Sequence, residues 1–345
     1  MTYLGKKDIL CKKYMGNPIH FAEAFNFFLY RGHSKIDPAD LSPLDTTEIA
    51  VPYGNGARLP VQKYRDVLKQ WKTMTDGKTL YTILGIENQS DVHYAMPVKN
   101  GLYDFLYYSM QVEEAGKSYK SKKLNKEKNR KPVKATLSRA EYLSGFRKED
   151  RLMPVITLVV FFNPARWDGP ESIHEMLNTK DEELLQYVPD YKIHLLTPYN
   201  MKDEDFEKFY TDFGKLLKYI KYSNDEKALY RITHEGDFYQ NIDTESALLM
   251  NEMTGSKLQL NEEGGKVNMC KAIDDMRLHC REEGKVEGRE EGRAEGRVEG
   301  KIEGKEETRL EAIKNVMDSF RVTAQQAMES LKIPTDEYPK YMARL

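Results

Sequence analysis

Apolar residues recur at helical spacing in PIHFAEAFNFFLY (18–30), where Phe21, Phe25, Phe28 and Leu29 follow a 3.6-residue period. Asn17 ahead of Pro18 supplies an N-cap and a residue suited to the first helical turn. The period then shortens. TTEIAVPY (46–53) and VQKYRDVLKQW (61–71) read as strands, with Asn55-Gly56 between them as a hairpin signal in a loop longer than two residues. TLYTILGIENQ is a third strand. In YAMPVKNGLYDFLYYSMQV (94–112), Met96, Leu102, Phe105, Leu106 and Met110 restore the helical step, and Pro97 fits only its first turn. A short helix signal at 137–144 precedes MPVITLVVFF (153–162). That run is apolar at both alternating sets of positions, which predicts a central strand covered on both faces. YKIHLLTP (191–198) reads as another strand. Residues 201–233 keep the helical step through Phe206, Phe209, Tyr210, Phe213, Leu216, Leu217 and Ile220. The order predicts a mixed sheet with helices on both faces.

Composition makes that sheet affordable: 40% of the 345 residues are hydrophobic, with 22 Tyr and 13 Phe, enough for a core and against wholesale disorder. Charged residues reach 31% yet nearly cancel, to −2, so only local patches can speak for nucleic acid. KSYKSKKLNKEKNRKPVK (117–134) is such a patch, with nine Lys or Arg against one Glu. It reads as a solvated or disordered insert. As a DNA contact, Lys120, Lys122, Lys123, Lys126, Lys128, Arg130 and Lys131 would bind phosphates without sequence preference. Tyr119 is its one aromatic residue, which gives no platform for base stacking. The three cysteines are too few and scattered for a disulfide framework or a zinc site, and the seven histidines show no ligand spacing. The N-terminus lacks a signal peptide's apolar core, and the longest apolar stretch, Val155–Phe162, is too short to span a bilayer. A cytoplasmic protein without a membrane partner is expected. The Gly run near the C-terminus follows no strand, so it is not a phosphate loop.

Chemistry enters with the polar interruptions of the strands. Glu87 and Gln89, two apart, project from the same side of their strand. Asp66 interrupts the preceding one. If the two strands are neighbours, the carboxylates come close and repel unless a proton or a divalent cation lies between them. Mg²⁺ suits such a pair, since it takes oxygen ligands and keeps water and substrate phosphate. The plainer alternatives are a surface ion pair of Asp66 with Arg65 or Lys69, and a strand that simply ends at the surface with Glu87 and Gln89.

KDILCKKYMGNP, RDVLK, GIENQSDVHYAMPVKNGLYDFLYY, YLSGFRKEDRLMPVITLVVFF and WDGP, in that order, resemble the recombination-promoting nuclease/putative transposase (Rpn) family of the PD-(D/E)XK nuclease superfamily, over residues 6 to about 235. The resemblance implies a restriction-endonuclease-like α/β fold and Mg²⁺-dependent DNA endonuclease activity linked to recombination or mobile elements. Asp66 and Glu87 carry over as metal ligands, with Gln89 where the wider superfamily has lysine. Neutral Gln89 only hydrogen-bonds. Lys99, early in the next helix, or Lys12 would then supply the cation; Lys99 could instead pair with an acid such as Asp104. Asp8 matches the opening acid of the family's N-terminal pattern, as a third acid near the site or as a helix cap.

Residues 283–304 read EGKVEGREEGRAEGRVEGKIEG, with Gly at every fourth position, Glu before it and Lys or Arg after it. Each Gly disfavours helix by roughly 1 kcal/mol relative to Ala. Like charges also fall at i, i+4. The segment reads as a spacer, or as a helix that pairs with a second copy, acidic stripe against basic stripe. The expected organisation is a nuclease core over 1–200, a helical extension over 201–260, the repeat over 281–307 and a C-terminal helical segment over 308–345. Two other functions fit the same pattern: a catalytically weak DNA-binding relic, and a self-associating structural protein.

Overall fold

The computed structural model describes residues 5–50, 61–75, 78–128 and 137–345. Helices α1 (Lys6–Gly16) and α2 (Pro18–Tyr30) open the chain. Asn17 caps α2, its Oδ1 accepting from the Ile19 N–H at 3.0 Å. Strand β1 (Leu41–Pro43) follows, then the pair β2 (Thr47–Ala50) and β3 (Val61–Tyr64), which forms its own two-stranded sheet. Asn55 and Gly56 lie outside the described residues.

Strands β4 (Val67–Thr75) and β5 (Lys78–Gln89) are an antiparallel pair with Val67 opposite Ile86. The predicted single strand 61–71 is thus two strands, broken at Arg65-Asp66. The break has a cause in the Arg65 side chain, which is drawn into the interior.

Helix α3 (Met96–Lys128) crosses over to α4 (Arg139–Ser144) and β6 (Val155–Phe161), which pairs in parallel with β5. The backbone of 117–128 is therefore helical, where a solvated loop was expected. The side chains of Lys120, Lys122, Lys123, Lys126 and Lys128, and all of Arg130 and Lys131, lie outside the described residues. Short helices α5 (Ile173–Met176) and α6 (Glu182–Leu185) lead to β7 (His194–Leu196), parallel to β6. The main sheet has the order β1-β4-β5-β6-β7, so β6 is interior to it and almost wholly buried.

Alternation along β4 and β5 assigns the two faces. Val67, Lys69, Leu84, Ile86 and Asn88 look toward α1 and α2, where Lys69 donates to the Gly16 carbonyl at 2.8 Å over the Phe21 ring. Leu68, Ile83, Gly85, Glu87 and Gln89 look toward α3. There Met96, Val159, Phe161, Trp167 and Ile193 form one buried cluster and Leu68, Ile83 and Val155 another.

The chain continues as α7 (Asp203–Phe206), α8 (Asp212–Tyr222), α9 (Glu226–His234), β8 (Ile242–Asp243), α10 (Thr244–Thr254), β9 (Glu262–Glu263) and β10 (Lys266–Val267). Residues 201–260, expected as an extension of a core ending at 200, belong to one compact unit that reaches Ile273. Tyr14 of α1 bonds Ser246 of α10 at 2.8 Å, and Glu23 of α2 accepts from the Tyr210 and Thr211 N–H groups and from the Thr211 hydroxyl ahead of α8.

A second unit, Asp274–Leu345, holds most of α11 (Met269–Phe320) together with α12 (Ala324–Ser330) and α13 (Tyr338–Met342). Its small core is Ile313, Ala327, Met328, Ile333 and Tyr341. The whole repeat 283–304 is helical. Among the described residues no helix is long and apolar enough to cross a membrane.

Candidate metal and phosphate site

Asp66 lies in the bend before β4, one residue ahead of the first β4–β5 pair, Val67 with Ile86. Asp66 Oδ2 accepts from the Asn88 N–H at 2.9 Å, so the acid closes the end of the ladder where backbone pairing stops. Its Oδ1 lies 3.0 Å from Lys12 Nζ of α1. Of the partners considered from sequence, Arg65 pairs with Asp104 and Lys69 bonds the Gly16 carbonyl.

Glu87 is 1% exposed and sits 2.7 Å, through Oε2, from Lys99 Nζ. Its Oε1 is buried and has no hydrogen-bond partner among the described residues. Burial pushes the Glu87 carboxyl above the usual carboxylate range; Lys99 pulls it back, Asp66 pushes it further up and Arg65 opposes that. The step from a strand into Glu-x-Gln therefore has an answer in the protein itself: the Lys99 ammonium meets the buried acid. Gln89, half-buried, lies on the same side of β5 by alternation.

Behind this pair lies a network that sequence inspection did not reveal. Arg65, 1% exposed, donates to Asp104 Oδ1 at 2.9 Å and to Thr157 Oγ1 of β6. Thr157 donates to the same Asp104 oxygen at 2.7 Å, and Tyr191 donates to the other at 2.7 Å. The Arg65 guanidinium also lies over the Tyr103 ring, 5.2 Å from its centroid. It passes so close to β5 that a Cβ on Gly85 would stand 2.6 Å from Nη1. Glycine at 85 is thus the space through which the side chain reaches the interior. The one legible signal was Gly85 in an otherwise β-branched and aliphatic strand, since such a residue marks a close approach. Nothing in the sequence named Arg65 as what approaches.

Asp8 is exposed in the first turn of α1 and does not cap it; Gly5 occupies the cap position, without a side-chain bond. The buried Cys11 thiol is pushed up by burial first, then by Asp66 and Asp8. That keeps Cys11 protonated and unsuited to nucleophilic attack.

The residues available to a hard cation are Glu87, with one buried oxygen unpaired among the described residues, and Asp66. Among the described residues no three His, Cys, Asp or Glu side chains gather as a metal cage. Compared with known families, characterised proteins and solved structures, the chain matches none.

Proposed function

We propose that the protein is a Mg²⁺-dependent DNA endonuclease, with Asp66 and Glu87 as metal ligands. The observation that carries this reading is the buried Glu87 carboxyl, one oxygen on Lys99 and the other unpaired among the described residues, with Asp66 bound to the neighbouring Asn88 N–H. The antiparallel β4–β5 pair, the α3 crossover and the parallel β6 support it, because a restriction-endonuclease-like sheet carries its acids on such a pair. When bound, the metal supplies Lewis-acid polarisation of the phosphate and a water of lowered pKa. Lys99 offsets part of the burial that raises the Glu87 carboxyl and carries a positive charge that can serve the phosphate. Gln89 orients water by hydrogen bonding alone. Asp104, Thr157 and Tyr191 hold Arg65, and Arg65 holds the bend that presents Asp66.

The test is conversion of supercoiled plasmid to nicked and linear forms with Mg²⁺. Wild type is expected to nick, Asp66→Ala and Glu87→Ala to lose at least about 100-fold of the rate. Undiminished cleavage by either variant would place the activity elsewhere.

One observation favours a second reading, a DNA-binding protein without turnover. Both acids already have a lysine, Lys12 on Asp66 and Lys99 on Glu87, so the pair is neutralised without metal. In that case Asp66→Ala binds duplex DNA as wild type does, with the same salt dependence, and neither protein nicks.

A further inference from the structure

The repeat glycines have no explanation within one chain. A Cβ on Gly284, Gly288, Gly292, Gly296, Gly300 or Gly304 would meet nothing within 4 Å, and none of the six has a positive φ. Gly85 and Gly214, in contrast, are glycines because a neighbour stands where a Cβ would go. Every residue of 283–304 is exposed, yet the segment is helical although glycine and like charges at i, i+4 both oppose a solitary helix.

At about 100° per residue, each tetrad places its Gly midway between its Glu on one side and its Lys or Arg on the other. The glycine stripe is thus a backbone-lined groove with an acidic bank and a basic bank. Two copies that meet groove to groove have one favourable orientation. Around a two-fold axis parallel to the helices, the acidic bank of each faces the basic bank of the other. Around a two-fold axis perpendicular to them, acid would face acid. The stripe advances about 40° per tetrad in the right-handed sense, so the pair must cross or coil right-handed. The fourth position of the tetrad, Val286, Glu290, Ala294, Val298 and Ile302, lies on the opposite side and is broken by Glu290, which makes it the poorer seam.

We propose that residues 280–304 form a parallel, right-handed homodimer seam through the glycine stripe, the partner being a second copy of this chain. This is independent of the nuclease reading. Cys280 supplies the probe. It is exposed, Cys11 is buried and Cys270 half-buried, and it occupies the glycine register one tetrad before Gly284. A parallel seam sets two Cys280 thiols face to face; an antiparallel one puts them at opposite ends.

The full chain is examined by sedimentation equilibrium across a NaCl series, and by non-reducing gel after diamide, which takes up the two thiol hydrogens as one interchain disulfide forms. Expected are a dimer of the 40.1 kDa chain that weakens with salt, a cross-linked dimer lost in Cys280→Ser, and at least tenfold weaker dimerisation in the triple variant Gly288→Ala, Gly292→Ala, Gly296→Ala. Circular dichroism keeps that variant interpretable, because alanine raises helicity in a solitary helix and so acts with opposite sign in the two cases. A helical monomer in low salt, a dimer untouched by the triple variant, or a dimer with no Cys280 cross-link would each overturn the proposal.

Discussion

At the scale of single residues, the site is governed by the imbalance around Glu87. Its carboxyl titrates higher in the folded chain than in the unfolded one, because burial outweighs Lys99. Between the ordinary glutamate pKa and that raised value the unfolded chain has lost the proton and the folded chain keeps it, so folding stability falls as pH rises through the window. Glu87→Gln removes this slope: denaturant unfolding from pH 4 to 8 should show a flatter decline than wild type, and an identical decline would assign it to other groups. Lys99 is the second residue to vary. Lys99→Met is expected to lower plasmid turnover about 100-fold while changing DNA affinity less than about threefold, since a charge beside the reacting phosphate acts mainly in the transition state. Equal loss of both would make Lys99 an ordinary phosphate contact.

Among the elements, the seams between helices rest on side chains whose sequence context conceals them. Glu23 sits within the apolar run of α2 and is 2% exposed, yet it accepts three hydrogen bonds at the entry to α8. Glu23→Ala leaves those donors without an acceptor and should destabilise the larger unit by about 2–4 kcal/mol, read from urea unfolding. The Arg65-Asp66 break shows the same principle in a strand. Periodicity gives one run from 61 to 71, whereas the buried guanidinium divides it into β3 and β4 and leaves Asp66 at the mouth of the ladder. Helix α3 differs for another reason. Its apolar pattern ends near 112, but the backbone continues helical through a lysine-rich stretch whose composition suggested a loop. Lysine is a good helix former, so charge alone does not end a helix that packing has already nucleated.

Over the whole molecule, the chain divides at residues 273 and 274 into a large α/β unit and a small helical one with its own core. A chain ending at Glu282 should therefore keep the thermal midpoint of the larger unit within about 3 °C in calorimetry, and lose only the small unit's transition. A larger fall would mean that the second unit stabilises the first.

By itself the sequence determined the elements whose signals are local. These include α2 with its Asn17 cap, the buried β6 and the β5 run into Glu87-x-Gln89; the repeat, read from sequence as spacer or helix, is helical in the structure. It also pointed to Asp66, Glu87 and Lys99 as residues of one region. What only the tertiary structure decided is who neutralises whom. Lys99 rather than Asp66 or a surface neighbour meets Glu87, Lys12 from α1 meets Asp66, and Arg65 leaves its neighbour for Asp104, Thr157 and the space over Gly85. The physical reason is that helical and strand periods are properties of a few consecutive residues. The partner of a buried charge is chosen by desolvation, which depends on every element packed around it.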